Sequence, residues 1–296
     1  MPEITTPKNY GRVSGYGFAM GYLGSLVTLA IVFPLIQSNA IRLTFPVAAL
    51  FFLIFAAPLF LFLPDSRKNV PRTKSYFAIG FERVIFTIKH LKNYKQLSIF
   101  LLAFFFYIEG VNTVIFFAGN YASSTLHFSQ TELIIFFLVV QTTAILGAAF
   151  FGILADSLGQ KRVLMLTLVI WIAIIVFAFI SSDPEGVFVK YSAKLINQTP
   201  QEFIKTSFYI VGLASGSVLG ATQSISRSLM SKLTPPEKKT EFFGFFSLFG
   251  KSSAILGPFV FGLVSYLTGS QRFAISSIGI FFVIGLSVLI FLRTEE

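Results

Sequence analysis

Residues 152–162 read GILADSLGQKR. The string lies between two long apolar runs, and its residues have separable jobs. Gly159 permits a reversal where a helix ends. Lys161 and Arg162 open the next helix on the positively charged side of a membrane turn. That account leaves Asp156 unexplained, because an acid at a helix C-terminus meets the negative end of the helix dipole.

The flanking runs recur through the chain. Of its 296 residues 54% are hydrophobic and only 12% charged, about half the charged share of a soluble domain. Mean hydropathy is +0.77. Runs of about 20 apolar residues match the ~30 Å hydrocarbon layer, and 38 phenylalanines supply side chains suited to lipid. Backbone groups in lipid must pair within their own segment. The fold class is therefore all-α, a polytopic helical membrane protein. Eight spans are predicted, at 13–36, 41–64, 97–122, 131–155, 163–181, 205–231, 242–267 and 272–292.

Basic residues orient the stack. Lys8, Arg12, the run from Arg67 to Lys95, Lys161, Arg162, Arg227, Lys232, Lys238, Lys239 and Arg293 fall on one side. The other side receives only Arg42, Lys190, Lys194, Lys205 and Arg272. Both termini are expected to be cytoplasmic. The net charge of +10 thus belongs to the inner loops, and no nucleic acid is expected as a partner. Within 65–96, Phe77, Phe81, Val84, Ile85, Ile88 and Leu91 recur at helical spacing with charges between them. That pattern fits a helix on the inner leaflet, linking residues 1–64 to a six-span set at 97–296, a peripheral anchor with no further role being the alternative.

Cysteine is absent and only His90 and His127 occur, so neither a thiolate metal site nor a histidine cluster is expected, and no cofactor is called for. Nor does a nucleophile, base and metal constellation of the kind a membrane enzyme needs stand out. One acid does. Residues 104–117 read FFFYIEGVNTVIFF, placing Glu109 ~18 Å along its predicted span at 1.5 Å per residue. An acid near mid-bilayer costs several kcal/mol and faces a bundle interior or a cavity. Asn112, three residues on, turns to the same side and offers a partner; a structural hydrogen bond between helices is the alternative role for Glu109. Farther along, Gly212, Gly216, Gly220, Ser224 and Ser228 mark one face of a span for close helix packing. Beside them lie Gln223 and Arg227, the first deeper, the second near the inner end where a long basic side chain can snorkel.

GRVSGYGFAMGYLGS (11–25) and GKSSAILGPFVFGLV (250–264) both open a span with glycine, a base and a serine two positions on, a sign of related halves. GILADSLGQKR itself resembles the signature loop of the major facilitator superfamily, and it meets every fixed position of that pattern. Gly11-Arg12-Val13-Ser14, Gly21-Tyr22-Leu23-Gly24, Glu109-Gly110-Val111, Gln223 to Ser228, Pro235-Pro236, Glu241 to Gly244, Gly257-Pro258 and Thr268 to Arg272 resemble its vacuole-effluxer-like branch, the autophagy-related vacuolar amino-acid effluxers and their bacterial relatives. Ile108 and Asn112 depart from that branch, where a polar residue and a glutamine are commoner.

The resemblance implies a twelve-helix plan, of which eight spans are present. Met1 to Pro7 resembles the loop before the fifth helix. The chain is thus expected to be a fragment, a truncated product or one with a mis-set start, a natural eight-span protein being the alternative, and a separate four-helix part is a candidate partner. It further implies a secondary transporter in the bacterial plasma membrane, or the vacuolar membrane if eukaryotic. The cargo would be amino acids or similar small solutes, with efflux favoured and a proton as candidate coupling ion. Glu109, Asn112, Gln141 and Gln223 would face the transport cavity. Asp156, with Gly159, Lys161 and Arg162, would latch near Arg12 and Ser14, and Arg227 would belong to the same gating set. A non-transporting scaffold or lipid-binding membrane protein is the alternative, although it would need neither Asp156 nor a mid-membrane acid.

Overall fold

The computed structural model describes residues 5–62, 94–235, 238–252 and 255–294. The inner-leaflet helix expected over 65–96 therefore lies, up to residue 93, outside the described residues. Helices α1 (Tyr10–Gln37), α2 (Ile41–Phe62), α3 (Lys95–Ser124), α4 (Gln130–Leu158), α5 (Gln160–Ser181), α6 (Val187–Leu195), α7 (Pro200–Leu233), α8 (Lys239–Ser252), α9 (Leu256–Thr268) and α10 (Gln271–Ile290) follow in order. Among the described residues eight helical stretches are long and apolar enough to cross a membrane. They coincide with the eight predicted spans; in the stretch expected over 242–267, α8 and α9 lie on either side of residues 253–254, which are outside the described residues. The loop at 181–203 carries a helix the sequence reading did not foresee, α6, seated by Val189 and Ala193 one turn apart.

Helix ends follow local chemistry. Ser129 with Glu132, and Thr199 with Glu202, form capping boxes that start α4 and α7 several residues before the apolar runs begin. Gly159 has φ 94°, in the region that favours glycine, and so serves both as the end of α4 and the start of α5. His127 has φ 55° between buried Leu126 and Phe128, which gives it a role in the α3–α4 turn.

Helix packing divides the chain unevenly. α4 lies between α1 and α7, α10 packs on α3, α5 and α9, and α5 packs on α7. Trp171, Tyr107, Phe100 and Phe282 fill the centre of this set, Trp171 stacking on Phe282 at 5.1 Å. α2 leans on α1 and buries none of its residues. Where α4 meets α1 and α7, small residues let backbones touch. A Cβ on Gly15 would collide with the Ala148 carbonyl, one on Gly147 with Ser217, and one on Gly220 with the Ala144 carbonyl. Gly212, Gly216 and Gly220, the glycine part of the face read from 212 to 228, thus pack on α4. Gly15→Leu has no soft neighbour to displace and is expected to destabilise the chain by roughly 1–3 kcal/mol or more, visible as a lowered thermal midpoint in detergent.

Candidate transport site

Asp156 stands in the last turn of α4, where its own helix gives it no favourable interaction. Its carboxylate instead crosses to the start of α1. Oδ1 accepts from the Gly11 N–H at 2.7 Å and Oδ2 from the Arg12 N–H at 2.8 Å. These are first-turn amides with no partner inside α1, and Asn9 provides no side-chain cap. The acid disfavoured by one helix terminus is thus a cap for another. Gly152, one turn before it, lies against Gly11 and Gly15, and a Cβ on Gly11 would sit 2.6 Å from Oδ1. Arg12 enters the contact through its backbone. Ser14 donates its hydroxyl to the Ser224 carbonyl at 2.7 Å, extending the seam to α7.

The bases of the loop diverge. Lys161 Nζ donates to the Ile290 and Leu292 carbonyls at 3.1 and 2.6 Å, satisfying the C-terminus of α10. The positive-charge rule foretold only its side of the membrane, not this partner. Arg162 is exposed and borders a cleft with Pro7, Lys8, Gln160 and Lys232 beside Asp156.

Glu109 is wholly buried in α3. Its Oε1 accepts from the Gly257 N–H, in the first turn of α9, where free amides and the helix dipole both favour an acid. Oε2 is buried with no hydrogen-bond partner among the described residues. A Cβ on Gly257 would strike Thr113 and Glu109 Oε1, so glycine there permits the contact. Asn112 does not supply the partner foreseen for Glu109: its Nδ2 donates to the Gly250 carbonyl at 3.3 Å. The i, i+3 spacing turned both side chains toward the α8–α9 stretch. Which groups waited there could be known only from the packing.

A cavity of about 370 Å³ opens between α1 and helices α3, α4, α5, α7 and α10. Gln141 and Gln223 stand in its wall, whereas Glu109 and Asn112 are not among its lining residues. The expectation that all four share one cavity is therefore corrected. The acid and amide are held by α8 and α9, which contribute no lining residue. The rest of the wall is mostly apolar and aromatic, with Phe18, Tyr22, Phe117, Phe136 and Trp171 among its residues. Reading the sequence for buried charge overlooked these groups, because an aromatic facing a cavity and one facing lipid look alike in a single sequence.

Arg227 is also placed differently from the snorkelling residue expected. Its Nε donates to the Ser14 hydroxyl at 3.1 Å and its Nη2 to the Ser14 carbonyl at 3.3 Å. The guanidinium carbon lies 4.6 Å from the Phe18 ring centroid. Ser14 thereby joins Arg227 and Ser224 of α7 to α1, one turn beyond the Asp156 cap.

Comparison with known proteins adds family and fold. The model of the family described as "Vacuole effluxer Atg22 like" matches residues 4–296. An uncharacterized MFS-type transporter of Bacillus subtilis, YxiO, is 30% identical over 306 residues, which cover 99% of this chain and 66% of that protein. Autophagy-related protein 22 of Kluyveromyces lactis is 26% identical over 307 residues, covering 99% of this chain and 60% of the relative. The chain thus spans less than two thirds of the length of these relatives. Among solved structures, a bacterial homologue of the iron transporter ferroportin in an outward-facing state matches with TM-score 0.57 and 14% identity, over 98% of this chain and 65% of that one. That likeness concerns the fold alone.

Proposed function

The chain belongs to the vacuole effluxer Atg22-like family, and from that premise we propose that it forms part of a secondary active transporter moving a small solute by alternating access. The family and the fold support a multi-pass membrane transporter of the major facilitator type. The solute, direction and coupling belong to the proposal. Amino acids or similar small solutes are the cargo, leaving the cytoplasm or a storage compartment, with a proton as coupling ion at Glu109. Both termini are cytoplasmic in this reading, in the plasma membrane of a bacterium or the vacuolar membrane of a eukaryote.

One observation carries the reading: the cavity lies to one side of the Asp156 clasp. Its α4 residues run from Phe136 to Gln141, and its α5 residues from Trp171 to Ala178. Both sets lie toward the ends of their helices remote from Asp156 and Gly159. A chamber set to one side of a cap that can break is what one access state of such a transporter requires. α1 and α2 act as the fifth and sixth helices of a twelve-helix plan. The open face of α2 receives four further helices, in this or another polypeptide, which complete the far wall.

The chain has no cysteine, so single thiols give a clean test. With Ser215→Cys, a cavity position, a membrane-impermeant maleimide should react from the face opposite Asp156, and a transported amino acid should slow that reaction at least severalfold. Equal reaction from both faces, indifferent to every amino acid tried, would remove the alternating-access reading and favour a scaffold.

A further inference from the structure

Arg227 is the most conspicuous charge beside the cavity, and the hydrogen bonds described above do not neutralise it. Both go to Ser14, a neutral residue, and no carboxylate pairs with the guanidinium among the described residues. A cation within a membrane span normally finds an anion or lines a path for one. Two features connect this cation to the cavity. The Phe18 ring that it covers is a lining residue, as is Gln223, one helical turn away on α7. In addition, the guanidinium passes over Gly17, where a Cβ would lie 2.8 Å from Nη2, while Gly21 and Gly24 beyond it look onto open space. A glycine face on α1 thus leaves a trough from Arg227 toward the chamber.

The chamber has one further unmet group. The Tyr22 hydroxyl is buried with no hydrogen-bond partner among the described residues, and Tyr22 lines the cavity one turn along α1 from Phe18. A buried hydroxyl left unpaired is costly, and a ligand oxygen would remove that cost. An arginine fork matches the planar geometry of a carboxylate, with two parallel N–H donors. The remaining wall, with Phe117, Phe136 and Trp171, suits an apolar body, and about 370 Å³ lies within the usual range of small-ligand cavities.

We propose that Arg227 anchors the carboxylate of a solute whose apolar body occupies this cavity, with the Tyr22 hydroxyl as a second polar contact. The proposal rests on the cavity being the solute site of the transporter, and it assigns specificity to a residue first read as part of the gate. Ser14 then has a positioning role, holding Nε and Nη2, while Nη1 makes no hydrogen bond among the described residues.

The single tryptophan of the chain, Trp171, stacks on Phe282 at the cavity wall, so its emission reports occupancy without a label. The full chain in detergent would be titrated with N-acetyl-L-phenylalanine and with N-acetyl-L-phenylalanine amide, which differ in the carboxylate alone. The acid is expected to bind at least about tenfold more tightly than the amide, the scale of one charge-assisted contact. Arg227→Gln should bring that ratio to about one. Tyr22→Phe, which keeps the ring, should weaken both probes by a similar few-fold and leave the ratio nearly unchanged. Arg227→Lys, which keeps the charge, should hold an intermediate ratio if Arg227→Gln proves too unstable to measure.

Equal affinity of the wild-type chain for the two probes, no saturable response to either, or an unchanged ratio in the Arg227 variants overturns the proposal. Arg227 would then be a structural tie between α7 and α1. Failure of the transport reading would look different: carboxylate-selective binding would persist while proteoliposomes showed no solute flux.

Discussion

Asp156→Ala is expected to shift the chain away from the state in which the α1 end of the cavity is closed. The carboxylate caps two amides of α1, and losing a cap typically costs about 0.5–2 kcal/mol. In the alternating-access reading proposed above only the closed state makes this contact, so the loss acts on the balance between states. At ~1.4 kcal/mol per factor of ten, the closed population should fall by about two- to thirtyfold relative to the open one. Asp156→Asn is the milder version: one oxygen can still accept an amide proton, while its NH₂ group faces the second donor without accepting from it. Thiol accessibility of a cavity cysteine from the Asp156 face is the readout, and it should rise in the order wild type, Asn, Ala. An unchanged pattern would mean that the glycine contacts of Gly11, Gly15 and Gly152 hold this end by themselves.

Glu109→Gln should separate coupling from solute movement. Glutamine retains an oxygen for the Gly257 N–H and nearly the same volume, so the α3–α9 contact survives. It removes the one thing the acid has beyond an amide, a proton that can be lost and regained at Oε2, which has no partner among the described residues. Uptake driven by a pH gradient should drop by about tenfold or more, corresponding to at least ~1.4 kcal/mol of barrier. Solute counterflow without a gradient should continue near its wild-type rate. Full coupling in the Gln variant would assign Glu109 a structural role at the start of α9. The two variants act on different elements, since Asp156 addresses α1 and Glu109 addresses α9. They are expected to combine additively in stability because they share no partner.

Both residues mark how far a single sequence reaches. Asp156 and Glu109 were legible as anomalies, one an acid at the wrong helix end and the other an acid in lipid. What resolves each anomaly is the same physics, the free amides of another helix's first turn. Neither partner is near in sequence: Gly11 lies 145 residues from Asp156 and Gly257 lies 148 from Glu109. Asn112 shows the complementary failure. Helical spacing put it on the same side of α3 as Glu109, but spacing cannot say that the Gly250 carbonyl stands there. Arg227 failed for a related reason, because snorkelling assumes that the nearest relief is water, whereas the Ser14 backbone and the Phe18 ring lay closer.

The sequence by itself determined the all-α membrane fold, the number and order of the spans, and the positions where polarity was out of place. Each of these depends on terms summed along the chain: apolar length against bilayer thickness, local capping, and the cost of a charge in hydrocarbon. The tertiary structure alone decided which helix end Asp156 caps, where Lys161 and Glu109 find their partners, and that Gln141 and Gln223 share a chamber with Trp171 while Glu109 stands apart from it. Those outcomes depend on which helices cross at their glycines. Close approach is a property of two surfaces at once, and one strand of sequence describes only one of them.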